Sequence, residues 1–198
     1  MSNLRLAKKW KRGCLARYNR VMNSVAVDII GFAYNPVNRE PVILLKRKDE
    51  MEPIKTLVPI VMGPAEAQSI ISALQGYEHP RPMTHDLSCN IMSTLQAELL
   101  RVDVHNFHEG TFFAALTIVQ NGVTFIVDAR PSDAIALAVR TGAPIYLDQD
   151  VFNASSVETS ALSPQPMEGN DLTHPTMQEV LNKIHNFAEN VQPSDFKI

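Results

Sequence analysis

Cysteine is nearly absent from this chain: Cys14 and Cys89 are the only two in 198 residues, far apart and in no CxxC pair. That excludes a disulfide framework and a zinc ribbon, and it suits a reducing cytoplasm. Long apolar runs are missing too. None approaches the roughly 18 residues of a membrane helix, and the stretch from Val21 to Phe32 is broken by Asn23, Ser24 and Asp28. Neither a signal peptide nor a membrane anchor is expected. The phosphate-cradling patterns GxGxxG and GxxxxGKS/T do not occur, nor do HExxH, GxSxG or a Cys/His ligand cluster. Nucleotide hydrolysis, zinc proteolysis and serine esterase chemistry therefore lack their usual signals. His105 and His108 stand three apart near a strand end and read as surface histidines.

What is present is an ordinary globular composition, 45% hydrophobic and 20% charged, in a chain long enough to bury roughly 70% of its unfolded surface. The charge is unevenly placed. Residues 1–21 hold seven bases and no acid, leaving 11 bases against 21 acids for the rest. Such an arm, which also carries Trp10 and Tyr18, either lies along a phosphate backbone or is a solvated tail. Met22 stands just before the first strand and offers an alternative start.

Beyond the arm, Val25, Val27 and Ile29 alternate as on a strand, Pro41 to Arg47 reads as a second, and Asn35 to Asn38 is the turn between them. Thr56 to Met62 is a third strand, with Pro59 marking an edge or a bulge. Gly63-Pro64 opens a helix with Ala67, Ile70, Ile71 and Leu74 inward, ending at Gly76. A second helix is expected within 81–96, capped by Thr84, with Leu87, Ile91 and Leu95 inward. Leu100, Val102 and Val104 then alternate on a strand, and 111–119 and 123–128 form a hairpin through Asn121-Gly122. Arg130-Pro131 opens a deeply buried helix that Gly142 stops, before a short strand 144–147.

Two passages match at a constant offset of 67: Gly63-Pro64-Ala65-Glu66-Ala67 with Ile70, and Arg130-Pro131-Ser132-Asp133-Ala134 with Leu137. The expectation is an α+β domain over 22–151 built from duplicated strand-strand-helix units with pseudo-twofold symmetry. Residues 152–172, rich in Ser, Pro, Asn and Glu, read as a linker. Residues 173–191 form an amphipathic helix with Met177, Val180, Leu181, Ile184 and Phe187 on one face. A lone helix of this kind must pack on its own domain, a second subunit or a partner.

Two polar clusters could carry chemistry. Arg81, Thr84, His85 and Asp86 stand at a helix start, where a carboxylate also suits the helix dipole. Asp128, Arg130, Ser132 and Asp133 stand where a strand meets a helix. Asp133 is matched by Glu66 in the other copy, as helix capping would require, so both lean structural. Asp128 and Arg130 occur once, and they form either a phosphate or metal site or an ion pair that fixes the turn.

Leu57 to Gly63 (LVPIVMG) with Glu66-Ala67, Arg81 to Leu87 (RPMTHDL), Thr111 to Ala114 (TFFA), Asp128 to Ala138 (DARPSDAIALA) and Pro144-Ile145-Tyr146 resemble the bifunctional nuclease domain family over about 22–151, in the manner of bacterial, actinobacterial-like members. Met62 and the basic arm depart from the commoner pattern. The resemblance implies an α+β domain, often a homo-oligomer, acting on DNA or RNA. Its hallmark positions here are Arg81, Thr84, His85, Asp86, Asp128, Arg130, Ser132 and Asp133. On that basis Asp86 and Asp128 hold Mg²⁺ or Mn²⁺, Arg130 and Arg81 neutralise charge, and His85 is the general acid or base. Thr84 and Ser132 join Arg81 in substrate binding. The competing expectation is a non-catalytic regulatory or interaction domain in which these residues are caps and ion pairs.

Overall fold

The computed structural model describes residues 23–34, 40–51 and 53–159. The basic arm, the turn at 35–38, residues 160–172 of the expected linker and the expected helix 173–191 lie outside the described residues. Two three-stranded antiparallel units form the frame. The first is β1 (Ser24–Tyr34), β2 (Pro41–Arg47) and β3 (Thr56–Val61), followed by α1 (Pro64–Leu74). The second is β4 (Ala97–His108), β5 (Thr111–Gln120) and β6 (Val123–Ala129), followed by α3 (Pro131–Thr141). α2 (Thr84–Thr94) joins them, and β7 (Ile145–Asp148), α4 (Gln149–Ser155) and β8 (Val157–Glu158) close the chain.

The eight strands make one sheet in the order β6-β5-β4-β7-β1-β2-β3-β8. The two units are thus mirrored about β7, which runs parallel to β4 and antiparallel to β1. This is the duplicated α+β domain expected from the offset of 67. The central strand is no part of either copy.

Alternation sets which face each strand buries. Ile43, Leu45, Val58, Ile60, Val102, Val104, Leu116 and Leu147 join the buried sides of α1, α3 and α4 in one main core. α3 is buried nearly all round because it crosses the sheet between the other two long helices. A smaller apolar cluster of Ala33, Val42, Leu44 and Leu57 lies on the opposite face of the sheet. The turn at Asn121 and Gly122 has φ of 50° and 75°, the left-handed pair a two-residue hairpin of this hand requires. Pro59 sits on the stretch of β3 that the two-residue β8 leaves as an edge. Among the described residues no helix is long and apolar enough to cross a membrane.

Three expectations are corrected. Leu100 is exposed, because a bulge between Leu99 and Arg101 shifts the phase and turns Leu99 into the core instead. Residues 152–158, read as the start of a linker, belong to the fold: α4 runs through Ser155 with Phe152 and Ser155 buried, and β8 follows. In α2 the expected inward stripe is reversed: Leu87, Ile91 and Leu95 are about half exposed, while Cys89 and Met92 pack against the core.

Candidate active site

α1 and α3 both begin with proline at their first turn and pack on each other, and α2 packs on α3. The three helices bring seven polar side chains together: Glu66 and Ser69 from α1, His85 and Asp86 from α2, and Arg130 as the cap, Asp133 in the first turn and Arg140 in the last turn of α3.

His85 is the centre of the cluster and is 13% exposed. Its Nδ1 lies 2.8 Å from Ser69 Oγ, and its Nε2 lies 3.1 Å from Asp133 Oδ1. A carboxylate only accepts, so Nε2 carries a proton. Ser69 Oγ in turn accepts from Arg140 Nη2 at 3.1 Å, and its bond to Nδ1 runs in either direction, since a hydroxyl both donates and accepts. The result is a continuous line from guanidinium to hydroxyl to imidazole to carboxylate.

Arg140, 10% exposed, ties the three helices. Its Nε donates to Asp86 Oδ1 at 2.6 Å, its Nη1 to the Ala136 carbonyl at 3.0 Å and its Nη2 to the Ser69 carbonyl at 3.2 Å. The other Asp86 oxygen accepts from the Met83 amide at 2.9 Å. The Arg140 hydrogen bond, and next the Met83 amide, hold the Asp86 carboxyl below the ordinary carboxylate range. The helix cap is therefore Met83 with Asp86 reaching back to it, and Thr84 is the first helical residue instead of the cap.

Arg130 stands at the mouth of the cluster with 66% of its side chain exposed. It grips Asp133 through Nε at 2.7 Å and Nη2 at 3.1 Å, and Glu66 through Nη1 at 3.0 Å. Burial pushes the Asp133 carboxyl up, but Arg130 and then His85 outweigh it, and the net direction is down. Glu66 folds back over Gly63, where a Cβ would run into its carboxylate. The matched acids of the two copies thus both serve Arg130 instead of capping their helices, whose cap residues receive no side-chain hydrogen bond.

The remaining candidates fall elsewhere. Arg81 and Thr84 are exposed at the start of α2, and Ser132 is buried in the first turn of α3. Asp128 does not join the cluster. It pairs in register with Ala115, between Val127 opposite Leu116 and Ala129 opposite Ala114. Because Ala114 and Leu116 face the helices, Asp128 points to the other side of the sheet. It forms no ion pair with Arg130, whose partners are Asp133 and Glu66. In its own row it stands two strands, about 10 Å, from Asp103, which is held by Arg101.

This geometry does not fit one divalent cation shared by Asp86 and Asp128. The two carboxylates are on opposite sides of the sheet, and both Asp86 oxygens already accept hydrogen bonds. Among the described residues no group of three or more His, Cys, Asp or Glu is placed to hold a metal ion. Ser69 and Arg140, absent from the sequence candidates, take their place. A signal for them existed: the offset of 67 sets Ser69 against Ala136 and Arg140 against Ala73, so each is a polar residue where its copy needs none.

The sequence matches the family described as the bifunctional nuclease domain over residues 43–160. Two uncharacterized proteins of Mycobacterium tuberculosis, from strains CDC 1551 / Oshkosh and ATCC 25618 / H37Rv, are each 33% identical over 171 residues, covering 86% of this chain and 97% of the relative. The family match runs from within β2 to the end of the described fold and contains every residue of the cluster. The chain belongs to the bifunctional nuclease domain family.

Proposed function

We propose that this protein is a nuclease, hydrolysing phosphodiester bonds of DNA or RNA at the junction of α1, α2 and α3, with His85 as the proton-transfer group. The observation that carries the reading is the seating of His85 between Ser69 Oγ at 2.8 Å and Asp133 at 3.1 Å, next to the largely exposed guanidinium of Arg130. A phosphodiester oxygen takes the free edge of Arg130, which can hold phosphate oxygens bidentately. Arg81 and Thr84, exposed one turn away, are placed to hold the flanking phosphate. As the substrate draws Arg130 from Asp133, a water adds to phosphorus and gives its proton to solvent, and the P–O bond to the leaving oxygen breaks. That oxygen takes the Nε2 proton of doubly protonated His85, which solvent restores, while Arg130 offsets the charge on the phosphorus-bound oxygens. Ser69 and Arg140 keep the imidazole oriented throughout.

The second reading is a non-catalytic domain, favoured by the completeness of the network: both ring nitrogens of His85 and both oxygens of Asp86 have partners. Cleavage of labelled single-stranded DNA and RNA separates the two. Wild type, His85→Gln and Asp128→Asn, purified identically, are assayed with Mg²⁺, with Mn²⁺ and with EDTA. The expected result is at least a hundredfold loss in His85→Gln, with its melting temperature kept and with Asp128→Asn active. Equal residual cleavage in all three would mark a contaminant and leave the binding-domain reading. Loss confined to Asp128→Asn would move the chemistry to the opposite face, and the EDTA arm reports whether a cation takes part.

A further inference from the structure

The outer strip of the helical layer is unfinished. Val123, Phe125 and Val127 of β6 share the row of Gln120, Ile118 and Leu116 of β5, so they point to the same side as the helices. All three are about half exposed. On the outward stripe of α2, Met83, Leu87, Ile91 and Leu95 are also about half exposed. The end of α2 and the β5-β6 turn are joined, since Gln120 donates to the Leu95 carbonyl at 2.6 Å. Seven large apolar side chains thus line one edge, more than scattered surface hydrophobics would produce.

The same edge carries no charge. From Leu87 to Ala97 there is no Asp, Glu, Lys or Arg, and the one charge of β6, Asp128, is on the other face of the sheet. A nucleic-acid backbone, which binds through lysine and arginine, does not suit it. An apolar helix face does, because an edge strand left bare on its helical side is covered by one more helix in a two-layer domain.

We infer that this edge is the docking site of residues 173–191 of the same chain. Their sequence places Met177, Val180, Leu181, Ile184 and Phe187 at helical spacing, an apolar stripe that needs a partner face. The reach is sufficient. The described fold ends at Thr159, whose amide and hydroxyl are bonded to the Lys55 and Ile54 carbonyls beside β8. From there to β6 is the width of the sheet, about 34 Å at the usual strand spacing. The 13 residues from 160 to 172 span at most about 45 Å when extended.

The test is hydrogen exchange read by mass spectrometry on the full chain, comparing wild type with the double variant Leu181→Asp, Ile184→Asp and with Phe125→Asp. In the double variant, peptides covering 84–96 and 121–129 should exchange at least tenfold faster, while those of β2 and β4 keep their rates. In Phe125→Asp, the peptide covering 173–191 should lose protection. Unchanged rates at 84–96 and 121–129 in the double variant overturn the inference. Protection of those peptides that depends on protein concentration, with a dimer in light scattering, also overturns it, in favour of a second copy as the occupant. Slower exchange at the same peptides on adding a nucleic-acid oligomer would do so in favour of that ligand.

Discussion

At the scale of single residues, Arg140 is the side chain on which the cluster depends most. It is nearly buried, it reaches Asp86, Ser69 and the Ala136 carbonyl, and removing it leaves a carboxylate and a hydroxyl without their donor. Arg140→Ala should cost about 2–3 kcal/mol in urea unfolding, below the usual toll for a fully buried pair because Asp86 is one-third exposed. The acid response follows from the same contacts. Asp86 and Asp133 are both held below the ordinary carboxylate value. Their contribution is complete above that value, about 3.9, and is lost as pH falls through the lower folded values. The urea midpoint should therefore drop as pH falls below about 4, and drop less steeply in Arg140→Ala, where Asp86 has lost the main cause of its shift. His85 and Asp86 were visible in the sequence as a pair at a helix start. Asp133 was visible too, but Ser69 and Arg140 were not singled out, since they lie 16 and 54 residues from their partners and only the comparison of the two copies sets them apart.

At the scale of elements, legibility depended on whether one signal or two competed. β2 coincides with the run PVILLKR, and the hairpin at Asn121-Gly122 forms where its backbone demands, because each rests on a single local cause. α2 carries two stripes, Leu87-Ile91-Leu95 and His85-Cys89-Met92, and hydrophobicity alone selects the first. The structure selects the second, because His85 and Asp86 have their partners on α1 and α3. Leu87→Ser, half exposed on the domain and covered only by the docked helix, should accordingly cost less than a core truncation, about 1–2 kcal/mol. Ile70→Ala, fully buried in α1, should cost about 2–5 kcal/mol. Calorimetry on the two variants checks the contrast, and a loss in Leu87→Ser as large as that in Ile70→Ala would overturn this reading of α2.

At the scale of the whole molecule, the duplication was legible from the offset of 67, but the way the copies are joined was not. β7 is four residues long and looks like a minor strand in the sequence. In the sheet it is the seam, pairing with β1 through Val25↔Leu147 and with β4 through Val104↔Leu147. Leu147 is fully buried there. Leu147→Ala should cost about 3 kcal/mol, and it should lower both halves together in one thermal transition, with β2 and β5 amides losing exchange protection in step. Separate losses in the two halves would show that they fold as independent units.

The position of β7 also bears on how the chain is made. A strand at the middle of the sheet is encoded after both units that flank it, so on the ribosome each half can form its own three strands while the inner edges of β1 and β4 stay open. Those edges meet only when residues 145–148 emerge, and until then each is a template for any extended segment nearby. Synthesis that stalls before Ile145 would leave a nascent chain with two sticky edges. It would be a client for chaperones, whereas release after Asp148 closes the sheet at once.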